Sequence, residues 1–408
     1  GNFIDVNGVL TFASGNDLVF TTTASSSTFP RVKATSEGAF VVWLSAENVF
    51  YVQKMIPENI SVWTDPVSLG TGQNQAQARL SSDGLGGVFI SWEDDQTIAV
   101  QHLASNGFSS FSIILSDTAS EQFYTLVRSD GASGAYIVWA DGYLGENGIG
   151  SLGLHYEYVD LNGSTLGSPV ELFYGYGGLI DKGSTRSIPF DEDNNLIYWQ
   201  DYRNGANNPQ TYGSLGGKTA NFGEIKRLSN YSYQKSPQIV RADQSTLFLG
   251  FYNESETVYF QRLNNSLEPL GNAIPVNETG NQQASEDSHP FLISNGSGDI
   301  YYAYSENPGF GQIYLQKFNA TGSTIWNEPQ AITNNDKDNI LLDDPVYKGY
   351  LIQYCFADDD KGGFKPVFNI ASKEFFKNNT IMAVLRLLLA GVAYAKLLNK
   401  KVIHLFDY

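Results

Sequence analysis

The residues of this chain that could bind a charged ligand most directly are three arginines with a shared position in an internal repeat. Arg31, Arg79 and Arg186 each lie twelve or thirteen residues before an aromatic residue that ends an apolar segment. A guanidinium group binds a carboxylate or a sulfate through two parallel hydrogen bonds. If the repeat places these arginines around one channel, they form an anion site. Ion pairs with acidic neighbours are the structural alternative.

Carboxylates recur in the same repeat. Asp94, Asp141 and Asp201 each stand two residues after the recurring aromatic residue. A pair of carboxylates about 5 to 10 Å apart can hydrolyse a glycosidic bond, so these residues would carry the chemistry of a carbohydrate-active enzyme. Their occurrence at one position of successive repeats indicates instead a role in turns or in stabilising the repeat.

The segment from Asp191 to Asn195 begins like a calcium-binding loop, because its Asp-x-Asp-x-Asn spacing offers oxygen ligands. However, Leu196 occupies the position where the loop requires glycine, and no glutamate follows at the twelfth position. We predict a polar turn here. The chain has four histidines without a partner at the spacing of a metal site or a catalytic triad, namely His102, His155, His289 and His404. We therefore expect no metal, no cofactor and no enzymatic activity.

The elements that position these residues are revealed by one aromatic position. Seven apolar segments end in an aromatic residue at intervals of 47 to 60 residues, which fits one supersecondary unit with variable loops. These residues are Trp43, Trp92, Trp139, Trp199, Phe251, Tyr304 and Tyr354. We predict that they pack in the interior as contacts between repeats and do not form a binding platform.

Turn signals divide each unit into four short strands, called a, b, c and d. Asp83-Gly84 and Asp130-Gly131 precede the aromatic residue and predict a hairpin between strands a and b. A polar residue recurs on strand c, as Gln53, Gln101, Glu157, Gln261 and Gln316. Glycine follows that position after six residues, at Gly107, Gly163 and Gly322, and predicts the hairpin between strands c and d.

A four-stranded meander cannot bury both of its faces alone, so neighbouring units must cover them. We therefore predict an all-β fold, a β-propeller of about seven four-stranded blades, with six or eight blades as alternatives. The whole chain, residues 1–408, is expected to form one domain. Within it, residues 1–22 supply a closing or donated strand, and residues 338–408 form an irregular last blade and a C-terminal segment.

The pattern Asp-Gly-x-Gly-Gly, then an aliphatic run ending in Trp-x-Asp, then Tyr-x-Gln and Asn-Gly, resembles the propeller repeats of large secreted bacterial surface proteins of undefined activity. The second and third units, SSDGLGGVFISWEDDQTIAVQHLASNG and RSDGASGAYIVWADG, carry it best. The resemblance covers roughly residues 24 to 336. It implies a propeller fold and a secreted setting, and it brings no catalytic residues with it.

Composition and sequence motifs restrict the partners and the location. With 25 basic and 43 acidic residues the chain carries a formal charge of -18, which repels nucleic acid. The single cysteine, Cys355, cannot form an intrachain disulfide. Arg386 and Lys396 interrupt the most apolar segment, so we expect no membrane span. Nine N-glycosylation sequons suit a secreted or cell-surface glycoprotein, at Asn59, Asn162, Asn230, Asn253, Asn264, Asn277, Asn295, Asn319 and Asn378.

Two functions of different classes fit these observations. The first is a non-catalytic extracellular structural or adhesive module that self-associates, as the subunit of a homopolymeric surface fibre, through its spare terminal strand. The second is a carbohydrate-binding or carbohydrate-active propeller of the sialidase or glycosidase type, with glycans as partners. The regular repeat and the missing catalytic constellation favour the first function.

Overall fold

A computed structural model describes the backbone of most of the chain. The described residues are 2–4, 10–12, 28–56, 62–72, 78–94, 97–115, 121–142, 152–165, 167–175, 185–191, 193–205, 208–219, 222–255, 257–276, 291–294, 298–305, 313–331, 352–358 and 364–370. These residues form strands and turns, and no helix occurs among them. They accordingly contain no helix that could span a membrane.

The strands assemble into small antiparallel sheets in chain order. At the N-terminal end, β1 (Asn2–Ile4) pairs with β2 (Leu10–Phe12). Blade 1 contains β3 (Thr28–Thr35), β4 (Gly38–Leu44), β5 (Val49–Met55) and β6 (Val67–Thr71). Blade 2 contains β7 (Arg79–Ser82), β8 (Val88–Asp94), β9 (Thr97–Leu103) and β10 (Ser109–Ile114). Blade 3 contains β11 (Glu121–Ser129), β12 (Gly134–Gly142), β13 (Leu152–Asp160) and β14 (Val170–Gly175).

The next three sheets repeat the same order. Blade 4 contains β15 (Arg186–Pro189), β16 (Asn194–Asp201), β17 (Gln210–Gly217) and β18 (Lys226–Arg227). Blade 5 contains β19 (Lys235–Arg241), β20 (Thr246–Tyr252), β21 (Val258–Asn264) and β22 (Ile274–Pro275). Blade 6 contains β23 (Phe291–Ser294), β24 (Ile300–Ser305), β25 (Ile313–Phe318) and β26 (Gln330–Ala331). A final pair joins β27 (Ile352–Asp358) to β28 (Phe364–Ile370).

Within each of the six blades the strands pair in the simple order a, b, c, d. The first strand of every blade also contacts the first strand of the next, from β3 through β7, β11, β15 and β19 to β23. Successive first strands therefore lie side by side around a common centre, and the fourth strands lie outermost. This is the arrangement of a β-propeller.

The apolar core is divided among the spaces between blades. Five clusters of buried residues each combine one face of a blade with the facing side of the next, from blades 1 and 2 to blades 5 and 6. In blade 2, for example, Ile90 and Trp92 pack against blade 1, whereas Phe89 and Val100 pack against blade 3. Side chains alternate between the two faces of a strand, so each of blades 2 to 5 is buried on both sides by its neighbours.

The all-β class and the four-stranded unit predicted from the sequence are confirmed. Among the described residues, six complete blades are present, and the seventh predicted unit is represented by β27, which carries Tyr354, and β28. Of residues 1–22, which are predicted to supply a closing or donated strand, only 2–4 and 10–12 belong to the described residues. Asn59, Asn277, Asn295 and Asn378, the histidines His289 and His404, and residues 371–408 of the predicted C-terminal segment lie outside the described residues.

Candidate functional site

The recurring aromatic residues of strand b are buried between blades. Their exposed fractions are between 0% and 3%, for Trp43, Trp92, Trp139, Trp199, Phe251 and Tyr304. From blade 2 onward each belongs to the cluster shared with the preceding blade. The indole Nε1 of Trp92 also donates a hydrogen bond of 2.9 Å to the carbonyl oxygen of Thr71 in blade 1. These positions leave the aromatic faces inaccessible to a ligand.

The carboxylates two residues after the aromatic residue contact the protein itself. Asp94 Oδ1 accepts a hydrogen bond of 2.8 Å from the hydroxyl of Thr71, across the boundary between blades 1 and 2. Asp141 Oδ1 lies 2.9 Å from His155 Nε2 on the neighbouring strand. Asp201 is 2% exposed, and its carboxylate accepts hydrogen bonds from the side chains of Trp199 and Arg203.

In two other blades the same position closes the turn between strands b and c. Ser45 Oγ accepts a hydrogen bond from the backbone N–H of Val49, and Asn253 Oδ1 accepts one from the N–H of Thr257. Short polar side chains commonly stabilise turns in this way. The three aspartates therefore occupy a structural position of the blade.

A second set of aspartates stabilises the turn between strands a and b. One carboxylate oxygen accepts backbone N–H groups from the following residues of the turn in blades 2 to 5, at Asp83, Asp130, Asp191 and Asp243. Asp191 is the first residue of the segment compared with a calcium loop. Its Oδ1 accepts the N–H groups of Asp193 and Asn194, at 2.9 and 2.8 Å, as expected for a polar turn.

Blade 2 contains a chain of hydrogen bonds with the residue types of a hydrolase triad. His102 Nδ1 lies 2.5 Å from the hydroxyl of Ser110, and His102 Nε2 lies 2.9 Å from Asp83 Oδ2. His102 and Asp83 are buried, whereas Ser110 is exposed on the outermost strand. This group was not predicted from the sequence, because strand register, not sequence spacing, brings the three residues together.

The geometry of this group differs from that of a serine hydrolase in the nitrogen that faces the serine. In the hydrolase template Nε2 contacts the nucleophile and Nδ1 contacts the aspartate, which is the reverse of the arrangement here. The imidazole of His102 also packs against the ring of Phe89, with 4.5 Å between centroids. His102 thus joins strand c to the turn that Asp83 closes.

Asp130 is the most strongly held carboxylate of this set. Its Oδ2 accepts hydrogen bonds from Ser133 and Tyr158, and lies 2.9 Å from Lys218 Nζ in blade 4. Burial raises the pKa of Asp130, but the hydrogen bonds from Ser133, Ala132 and Lys218 together lower it well below its usual range. A carboxylate in this environment is ionised and links blade 3 to blade 4.

The depressed pKa of Asp130 predicts a specific loss of stability in acid. A carboxylate whose pKa is lower in the folded state stabilises the fold above its unfolded pKa of about 4, and this contribution is lost as the pH falls towards the folded pKa. We expect Asp130→Asn to be less stable than the wild type at pH 7 and to lose less stability between pH 4.5 and 2.5. Urea denaturation at these pH values measures both effects. An identical acid dependence in the two proteins would show that Asp130 does not contribute.

The polar residue of strand c is buried in every described blade that carries it. Gln53, Gln261 and Gln316 each donate a hydrogen bond from Nε2 to the backbone carbonyl ten residues further along, at 3.0, 3.2 and 3.3 Å. This contact joins strand c to the segment leading into strand d. The glutamine is therefore an internal link of the blade and does not contact solvent.

The structure places Arg31, Arg79 and Arg186 on the first strands of blades 1, 2 and 4, and all three side chains are half-buried. Each pairs with the strand b residue that immediately precedes the aromatic residue. They therefore share one register position and one blade face, the face opposite to the aromatic residue.

The first strands carry further basic residues that were not predicted as site residues, and two of them are buried. Arg128 of blade 3 is 8% exposed, and its Nε and Nη2 donate hydrogen bonds of 3.1 and 2.7 Å to the carbonyl oxygen of Ser187 in blade 4. Lys33 of blade 1 is 3% exposed. Both lie two register positions closer to the turn than the three arginines, so a search at constant spacing does not find them.

Five sequons lie in described segments at the ends of strands. Asn162 and Asn319 lie in turns between strands c and d, and Asn264 ends strand c immediately before such a turn. Asn253 lies in a turn between strands b and c, and Asn230 follows strand d of blade 4. Asn162 and Asn230 are exposed. In Asn264 and Asn319 the Oδ1 atom accepts backbone N–H groups of the turn.

No protein-family model and no curated protein matches the chain. Among solved structures, the BP39L lectin from Burkholderia pseudomallei is similar over 81% of this chain and 94% of the lectin, with 10% sequence identity and a TM-score of 0.50. Prolyl oligopeptidase B from Galerina marginata matches 85% of this chain at 9% identity and a TM-score of 0.46. The chain spans about half the length of that peptidase, 47%. The likeness to the lectin shows the β-propeller fold alone.

Proposed function

We propose that this chain is a non-catalytic, extracellular structural or adhesive β-propeller that associates with copies of itself. One observation supports the proposal that the chain is non-catalytic. The residues that could act on a substrate, above all Asp94, Asp141, Asp201 and the Asp83–His102 pair, contact other side chains within and between blades. The aspartates recur with the repeat, as expected for residues that hold the blades together.

The hypothesis of self-association is supported by the two ends of the described chain. The pair β1–β2 and the pair β27–β28 each form a two-stranded sheet, and neither pairs with a third strand among the described residues. The edge of a strand presents backbone N–H and C=O groups that another strand can bind. If a pair from one copy completes the sheet of the next, the contact is head-to-tail and extends into a filament unless it closes into a ring.

An activity screen tests the non-catalytic proposal. We expect no turnover of chromogenic glycosides, esters or peptides by the purified chain, and no covalent labelling of Ser110 by a fluorophosphonate. A glycan array identifies a lectin if the protein has that function instead. Turnover that Asp141→Asn or Arg79→Ala abolishes, or a fluorophosphonate adduct on Ser110 that His102→Ala prevents, would contradict the proposal.

Removal of residues 1–22 tests the contribution of the N-terminal strands to assembly. We expect a folded, soluble monomer, because the six complete blades keep their contacts while the donated strands are lost. Size-exclusion chromatography with light scattering measures the assembly, and circular dichroism measures the fold. An unfolded or strongly destabilised product would show that these strands close their own propeller instead.

A further inference from the structure

The first strands of the six blades differ in charge from the rest of the protein. Together, β3, β7, β11, β15, β19 and β23 contain seven of the 25 basic residues but one of the 43 acidic residues. These strands lie next to one another around the centre of the propeller. The first strands therefore carry an excess of basic over acidic residues, in a protein whose formal charge is -18.

The three arginine side chains point in the same direction relative to their blades. Arg31, Arg79 and Arg186 pair in register with Val42, Ser91 and Tyr198. Val42 and Tyr198 lie in the clusters shared with the following blade. Because directly paired residues of antiparallel strands point to the same face, the three arginines lie at one register position, on the face that each blade turns towards the following blade.

Arg128 extends this group from blade 3. Its two hydrogen bonds to the Ser187 carbonyl fix its guanidinium against the first strand of blade 4. Burial raises the pKa of Tyr198, whereas the positive charges of Arg186 and Arg128 lower it. The positive charges of two different blades thus act on one phenol.

We propose that the channel lined by the first strands binds a ligand that carries carboxylate or sulfate groups, through Arg31, Arg79 and Arg186. A cleft lined by one sign of charge concentrates ions of the opposite sign. The planar guanidinium fork matches the two oxygens of a carboxylate or sulfate, which an ammonium group does not. This binding role goes beyond structural support and does not depend on self-association.

Calorimetric titration at low salt with sulfate, citrate and trigalacturonate tests the proposal. We expect the wild type to bind, and Arg79→Gln/Arg186→Gln to bind about tenfold or more weakly, because the charge-assisted hydrogen bonds of two guanidinium groups are lost. Arg79→Lys/Arg186→Lys keeps the charge without the fork and is expected to bind with intermediate affinity. Binding of trigalacturonate indicates an acidic glycan, and binding of sulfate or citrate alone indicates a small anion.

The control is Lys226→Gln/Arg227→Gln, which removes the same charge from the outermost strand of blade 4. We expect this variant to bind as the wild type does. Absence of binding by the wild type in all three titrations, or equal weakening in the control, would overturn the proposal. Light scattering on the same samples shows separately whether assembly is intact.

Discussion

Replacement of Trp92 by alanine is expected to destabilise the propeller by about 3 to 5 kcal/mol, the usual cost of removing a buried tryptophan. Trp92 is 2% exposed and packs in the cluster between blades 1 and 2. Its ring lies 6.1 Å from that of Phe50, and its indole N–H is bonded to Thr71. Alanine leaves a cavity at a boundary between blades and an unpaired carbonyl, and both effects oppose folding.

Two further variants show whether the loss of stability comes from lost packing at Trp92 or would follow any substitution in blade 2. Trp92→Phe keeps most of the apolar contact and loses the hydrogen bond, so an intermediate loss is expected. Phe108→Ala removes a ring that is 76% exposed in the same blade and should change stability little. Thermal and urea denaturation measure all three. Wild-type stability in Trp92→Ala would mean that strand b does not lie in the register described above.

The second large effect is expected for Asp83→Ala, at about 3 kcal/mol, since each buried polar group left without a partner costs roughly 1 to 3 kcal/mol. Asp83 is 2% exposed and accepts the N–H groups of Leu85 and Gly87 at 2.7 and 2.8 Å, while its other oxygen contacts His102. Alanine removes all three contacts from the interior. Unfolding by urea, followed by tryptophan fluorescence, measures the loss.

Asp243 provides the matched control for Asp83. It holds the same place in the turn of blade 5 and accepts the N–H of Ser245, but it is half-buried and bonded only within its own turn. We expect Asp243→Ala to cost about 1 kcal/mol, as for loss of a simple turn or cap interaction. Equal losses in the two variants would show that the contact with His102 contributes nothing.

Much of the blade was predictable because its signals are local. The aromatic residue of strand b recurs at nearly constant intervals, and Asp83-Gly84 and Asp130-Gly131 mark turns that the structure shows between strands a and b. The shared register of Arg31, Arg79 and Arg186 was also visible, because a short strand and a short turn keep the spacing to the aromatic residue nearly constant.

Contacts that depend on strand register were not predictable in the same way. Asp83 and His102 lie on different segments 19 residues apart and meet only after blade 2 has formed. The glutamines of strand c bond to backbone carbonyls, which leave no signature in the sequence. Arg128 binds a carbonyl of the next blade, so its partner depends on how blades pack.

Electron microscopy of negatively stained, purified full-length protein tests the central claim most directly, because assembly is what distinguishes a structural subunit from an enzyme or a lectin of the same fold. We expect ordered filaments of ring-shaped particles that repeat along the axis, increasing with protein concentration. Discrete single particles at every concentration would contradict the claim that this propeller is the subunit of a homopolymer.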